Sequence, residues 1–159
     1  VVSLGLLLDF GASEAVLKQT AAALDESTTG NARAIDCTFE PIVRMTTTYI
    51  EGGDLDFDQL IAPIKKGYFI KTIRHGSGMS TFTIAPSLAY EIVDGKLGRP
   101  VQISVLTGSV FETLGLIDGL TRDVHLLSFV TGGCGKMEQQ GLPVGFGGPY
   151  VRVSAMNVQ

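Results

Sequence analysis

Leu88-Ala89-Tyr90-Glu91-Ile92-Val93-Asp94-Gly95-Lys96-Leu97-Gly98-Arg99-Pro100-Val101 decides the fold. Two strand-like runs, 88–93 and 96–104, meet at Asp-Gly, the dipeptide favoured in a two-residue type I′ hairpin turn because both central residues need positive φ. Upstream, 68–73 and 81–84 read as strands on either side of a loop, Arg74-His75-Gly76-Ser77-Gly78. A β-meander is the simplest account. Further strands are expected at 1–9, 35–39, 45–50 and 124–130, with a last alternating strand at 150–158.

Three short helices punctuate this pattern. Ser13 and Glu14 open one over 15–24, followed by a polar loop at 25–31. Asp56 and Gln59 form a capping box for a second, with Leu55 and Leu60 as its hydrophobic staple. Lys65, Lys66 and Gly67 suit the end of that helix, and Pro63 should kink or shorten it. Ser109 and Glu112 form another capping box, opening a helix to about Ile117. The fold class is α+β, mostly antiparallel β as a curved sheet or barrel-like, with about three short helices; glycines at corners permit the bending that closure needs. The 159 residues are expected to form a single domain.

Composition narrows the function. Glycine is in excess, at 20 residues, while no G-X-Y period indicates collagen. No apolar run reaches the roughly 18–20 residues of a membrane span, so no membrane partner is expected. A formal charge of −4 argues against a phosphate-binding surface and hence against nucleic acid as a partner. Cys37 and Cys134 lie far apart, which fits free thiols better than a disulfide scaffold. The opening Val1-Val2-Ser3-Leu4-Gly5 has no initiator Met and no secretory pattern, and it reads as a strand entered midway. The expectation is the carboxyl-terminal portion of a longer, cytoplasmic polypeptide.

Candidate chemistry gathers at Thr131-Gly132-Gly133-Cys134-Gly135-Lys136 and Leu142-Pro143-Val144-Gly145-Phe146-Gly147-Gly148-Pro149. Gly133 and Gly135 leave the Cys134 sulfur little shielded, and backbone N–H groups can approach a thiolate closely, so Cys134 is a candidate ligand or nucleophile. A lone cysteine is also readily a small buried apolar residue. Cys37 has no comparable setting. His75 and His125 lack metal-binding spacing, and no His-x-x-x-His, Cys-x-x-Cys or nucleophile elbow is present. Gly145-Phe146-Gly147-Gly148 leads into a strand, so it is not a dinucleotide fingerprint. Asp54, Asp56 and Asp58 lack the sixth-position glycine of a calcium loop, since that position is Gln59.

Gly133-Cys134-Gly135-Lys136 with Leu142-Pro143-Val144-Gly145, Arg44-Met45-Thr46-Thr47-Thr48-Tyr49 and Gly30-Asn31-Ala32-Arg33 resembles the carboxyl-terminal half of the TldD/PmbA family. The likeness continues through Ala89-Tyr90, the 91–101 hairpin and Leu106-Thr107-Gly108. Its members were once labelled modulators of DNA gyrase and are now seen as zinc metallopeptidases. The resemblance implies a zinc held by a His-Glu-x-x-x-His helix, which nothing here matches, and by a cysteine that maps onto Cys134. It also implies unstructured peptides as substrates and a homo- or heterodimer. Within it, His75, Gly133, Gly135, Gly145 and Gly147 are the substrate-facing candidates. Relatives often carry Gly-Gly-Gly-x-Val-Asp where this chain has Ile73-Arg74-His75-Gly76-Ser77-Gly78-Met79-Ser80, and an acidic residue where it has Leu88, so peptide preference should differ. One thiolate alone should hold zinc weakly, so the chain by itself is expected to be metal-free and inactive. The other reading is a non-catalytic partner or scaffold subunit used for dimerisation and peptide capture by strand addition.

Overall fold

The computed structural model describes residues 32–159 except Met45, Thr46 and Met79. The strand expected at 1–9, the helix at 15–24 and the loop at 25–31 lie outside the described residues. The chain divides into two compact units: one holds the described residues up to Ile50 together with His125–Gly147, the other Glu51–Val124 with Gly148–Gln159.

The second unit is built on the meander. Strand β4 (Lys66–Gly78) pairs antiparallel with β5 (Thr81–Val93), whose other edge takes β6 (Lys96–Val101) and β7 (Leu106–Ser109). Strand β12 (Asn157–Val158) adds to β7, completing a five-stranded sheet. Between β5 and β6, Asp94 and Gly95 have φ of 46° and 72°, as a type I′ turn requires. The turn also docks: Asp94 N–H donates to Lys65 O and Gly95 N–H to Ile64 O. A Cβ on Gly95 would stand 2.6 Å from Ala62 O, so glycine is required there for both backbone angle and space.

Helix α1 (Phe57–Ile61) carries the expected capping box, with Gln59 N–H donating to Asp56 Oδ1 at 2.8 Å and Asp56 N–H to Gln59 Oε1 at 2.9 Å. It stops at Ala62, earlier than expected, because Pro63 has no N–H to continue the ladder. Lys66 and Gly67 therefore start β4 and do not cap a helix. Buried Leu60 and Ile61 face inward. Phe57 meets Phe69 and Tyr150 edge-on at centroid distances of 4.9 and 5.3 Å, joining α1 to β4. Arg152 of β11 (Val151–Val153) donates to Leu60 O and to Asp118 Oδ1, the latter in β8 (Ile117–Leu120), which pairs with β11. Ala89, Ile103 and Leu106 form a buried cluster beneath the sheet, packed by Ile70, Ile84, Val101 and Met156.

Several expectations change. Residues 74–78 continue β4 and are not a loop. Helix α2 (Val110–Gly115) has Ser109 at its N-cap without a side-chain hydrogen bond; Val110 N–H donates to Ser80 O across the sheet, so no capping box forms. The expected last strand is broken, since Ser154 N–H turns to Leu116 O and separates β11 from β12. Among the described residues there are two helices, and the strands lie in four open sheets with no closed barrel.

In the first unit, β1 (Ala32–Arg33) pairs with β2 (Ile42–Val43), and β10 (Gln139–Gly148) lies between β9 (His125–Lys136) and β3 (Thr48–Tyr49), to which it is parallel. Residues 35–39 form a turn instead of the expected strand. Asp36 Oδ1 accepts from both Thr38 Oγ1 and Thr38 N–H, an alternative to a β-ladder. These two bonds, the hydroxyl's first, hold the Asp36 carboxyl below its ordinary pKa. The stability they add is present at neutral pH and is lost as pH falls through the depressed value. Buried Gln139 accepts from Ile35 N–H and donates to Glu40 O, fastening that turn to β10.

Gly95 and Gly141 share nearly the same φ, 72° and 73°, but a Cβ on Gly141 would meet nothing within 4 Å. Gly141→Ala should cost only the left-handed strain of about 1–2 kcal/mol. Gly95→Ala adds a backbone collision and should cost clearly more. Urea unfolding of both variants checks this, and equal losses would refute the close approach at Ala62.

Candidate functional site

Cys134 lies on β9, near the hairpin in which Met137 and Glu138 connect β9 to β10. Met137 has φ of 53° and is 70% exposed at the tip. Gly133 adopts φ of 139°, and a Cβ there would collide with Leu142 O on the neighbouring strand. The residue before the thiol is thus glycine for a steric reason, because β10 presses against the β9 backbone at that point. On the other side, a Cβ on Gly135 would run into the Gln140 side chain, whose Nε2 donates to Met137 O. Cys134 itself is partly exposed and forms no disulfide; its Sγ lies 3.9 Å from Gly135 O. Cys37 is exposed in the turn that Asp36 organises.

The other candidates divide between the units. Gly133, Gly135, Gly145 and Gly147 share β9 and β10 with Cys134. Gly145 abuts Thr47, and Gly147 abuts the backbone of His125, so both let neighbouring chain segments approach closely. His75 belongs to the other unit, exposed on β4 opposite Ala85. Among the described residues no three His, Cys, Asp or Glu side chains stand close enough to hold a metal ion. Cys134 is therefore a single soft donor, and the described residues do not by themselves fit a zinc ion.

Two features of the first unit escaped the sequence reading. Arg33, Thr47, Ser128 and Gly145 line an open cleft of about 280 Å³, where Arg33 Nη1 donates to Pro143 O at 2.6 Å. Arg44 is fully buried, and among the described residues its Nε, Nη1 and Nη2 have no hydrogen-bond partner. Arg44 and Thr47 belong to the run that carried the family resemblance, but nothing in their residue types foretold burial of the guanidinium.

The described residues thus present a β-dominated domain with one glycine-flanked thiol and no cluster of three metal-ligating side chains. The chain belongs to the PmbA/TldA metallopeptidases: residues 15–159 match that family's C-terminal domain. It is 40% identical over 139 residues to a metalloprotease of Methanothermobacter thermautotrophicus, covering 86% of this chain and 30% of that protein. It is 36% identical to a metalloprotease TldD homolog of Haemophilus influenzae, with 89% and 30% covered. A zinc metalloprotease TldD homolog of Saccharolobus solfataricus is 30% identical, with 85% and 30% covered. The chain thus spans about 30% of the length of these relatives. The crystal structure of TldE from Thermococcus kodakarensis shares the fold with a TM-score of 0.60 at 15% identity, covering 87% of this chain and 29% of that one. A putative modulator of a DNA gyrase from Thermotoga maritima does so with a TM-score of 0.56 at 19% identity, covering 89% and 29%.

A buried guanidinium cannot shed its charge, so an unpaired one destabilises the fold. Arg44→Met, which keeps the length and removes the charge, should raise the unfolding free energy by about 1–3 kcal/mol in chemical denaturation. A loss of similar size would instead reveal a counter-charge on Arg44.

Proposed function

We propose that this chain is the C-terminal domain of a zinc-dependent peptidase that hydrolyses unstructured peptides, and that Cys134 supplies one zinc ligand. Family membership supports the peptidase class, and the zinc in the name of the Saccharolobus relative supports the metal. The observation that carries the site is the partly exposed thiol held between Gly133 and Gly135 on paired strands. When bound among three protein ligands with one position open, zinc supplies Lewis acidity to a scissile carbonyl. The chain's own part is to hold the sulfur on a backbone that cannot carry side chains beside it. Gly133, Gly135, Gly145 and Gly147, where strands and side chains pack against bare backbone, shape the surroundings of the thiol that a peptide would meet, and His75 is a separate substrate-facing residue on β4. The remaining ligands come from the longer polypeptide of which this is the C-terminal portion, a cytoplasmic protein acting as a homo- or heterodimer.

A second reading, a non-catalytic partner subunit, draws support from the fold shared with TldE. Zinc content separates the two. In the full-length protein, Cys134→Ala should lower zinc affinity by more than the roughly 10–100-fold typical for loss of an outer-shell partner. It should abolish peptide hydrolysis while leaving circular dichroism unchanged. Elemental analysis after dialysis and a fluorogenic peptide assay test this. Full zinc and activity in the variant would remove Cys134 from the site, and a zinc-free parent protein would favour the partner-subunit reading. The 159-residue chain alone should retain no stoichiometric zinc after dialysis.

A further inference from the structure

The five-stranded sheet has a hole in its middle. Strand β5 is paired with β7 from Thr81 to Ile84 and with β6 from Ala89 to Val93, but from Ala85 to Leu88 it has no neighbour on that edge. Four residues on the opposite side, Gln102 to Val105, span the same interval, so the ladders on either side of the hole remain in one register. Those residues have turned away: Ser104 N–H and Val105 N–H both donate to Gln159 O, and Gln159 N–H donates to Val105 O.

The other edge of the same four residues is also irregular. The β4–β5 register shifts between Thr72 and Ile73 and again between Ile73 and His75, leaving Ser87 on β5 and Arg74 on β4 without ladder partners. Pro86 sits between these defects and has no N–H to give a ladder. Bulges of this kind re-aim side chains, and Arg74 and Ser87 both line the opening, together with Gln102, Ser104, Pro86 and Val101. The cavity measures about 390 Å³, within the roughly 300–1,000 Å³ range of small-ligand sites. Among the described residues nothing pairs with the Arg74 guanidinium.

We propose that this opening binds the C-terminal end of an extended peptide, its α-carboxylate held by Arg74 and Ser87 and its last side chain lying on Pro86 and Val101. A single cation beside hydroxyl groups matches one carboxylate, whereas a polyphosphate would need several. At about 390 Å³ the opening admits a terminal residue and its carboxylate. That the carboxylate belongs to a peptide rests on the peptidase reading; the carboxylate chemistry rests on the opening alone.

Isothermal titration of the full-length protein in EDTA with acetyl-Ala-Val, its C-terminal carboxamide and acetate tests this, and it requires neither zinc nor hydrolysis. Failure of the zinc reading therefore leaves this measurement intact. The free acid should bind about tenfold more tightly than the carboxamide. Arg74→Gln, at an exposed position that should fold normally, should remove that difference, while Arg99→Gln, an exposed arginine on β6 outside the opening, should not. Ser87→Ala should weaken the acid without affecting the carboxamide. Equal binding of acid and carboxamide, or an unchanged preference in Arg74→Gln, would overturn the site. Acetate binding as tightly as the peptide would overturn its assignment to a peptide end.

Discussion

Strand β5 is the constraint on which the second unit depends. It is paired along both edges, and the elements around it are placed by what those edges demand. β4 and β6 are fixed by hairpin connections, β7 by register, and β12 by the ladder β7 extends. The Asp94-Gly95 turn at its end reaches past the sheet to the α1–β4 connection, so sheet and helix share one anchor. A strand in this position would ordinarily be regular throughout. Ladder pairing is interrupted on both sides near Pro86, and the buried cluster of Ala89, Ile103 and Leu106 lies close by in sequence and pairing.

The first unit shows a related economy of side chains. Its glycines let β9 and β10 run closer than Cβ atoms would permit: Gly133 against Leu142 O, Gly147 against His125 O. At Gly133 this brings the β10 main chain close beside the residue that precedes Cys134. Glycine in strands weakens them through entropy and lost packing, so its use here is compensated elsewhere. Gln139, buried and bonded at both ends to the 35–40 turn, is one such compensation.

Much of this was legible in the sequence where a local rule had no competitor. Asp94-Gly95 demands positive φ, and Asp56 with Gln59 satisfies orphan amides without outside help; both formed as expected. Ser109 with Glu112 has the same spacing as the Asp56 box, yet no side-chain cap bond forms there, and the first helical amide donates to Ser80 O. Arg74-His75-Gly76-Ser77-Gly78 looked like a loop from its glycines, but pairing along β5 outweighed composition. The 131–136 glycines lie within β9. At the site, Cys134 was visible because its neighbours are glycines. The opening beside Pro86 was not, since it lies where β5 lacks ladder partners opposite 102–105 and the β4–β5 register shifts, which no single stretch records.

Arg44 and Cys134 pose the same physical question about this domain. Among the described residues a guanidinium buried without an acceptor carries a desolvation penalty, and a single cysteine is too few ligands to hold zinc tightly. Neither fits a domain selected for stability alone, where Met in place of one and Ala in place of the other would serve. Both would gain from charged or metal-binding groups outside the described residues.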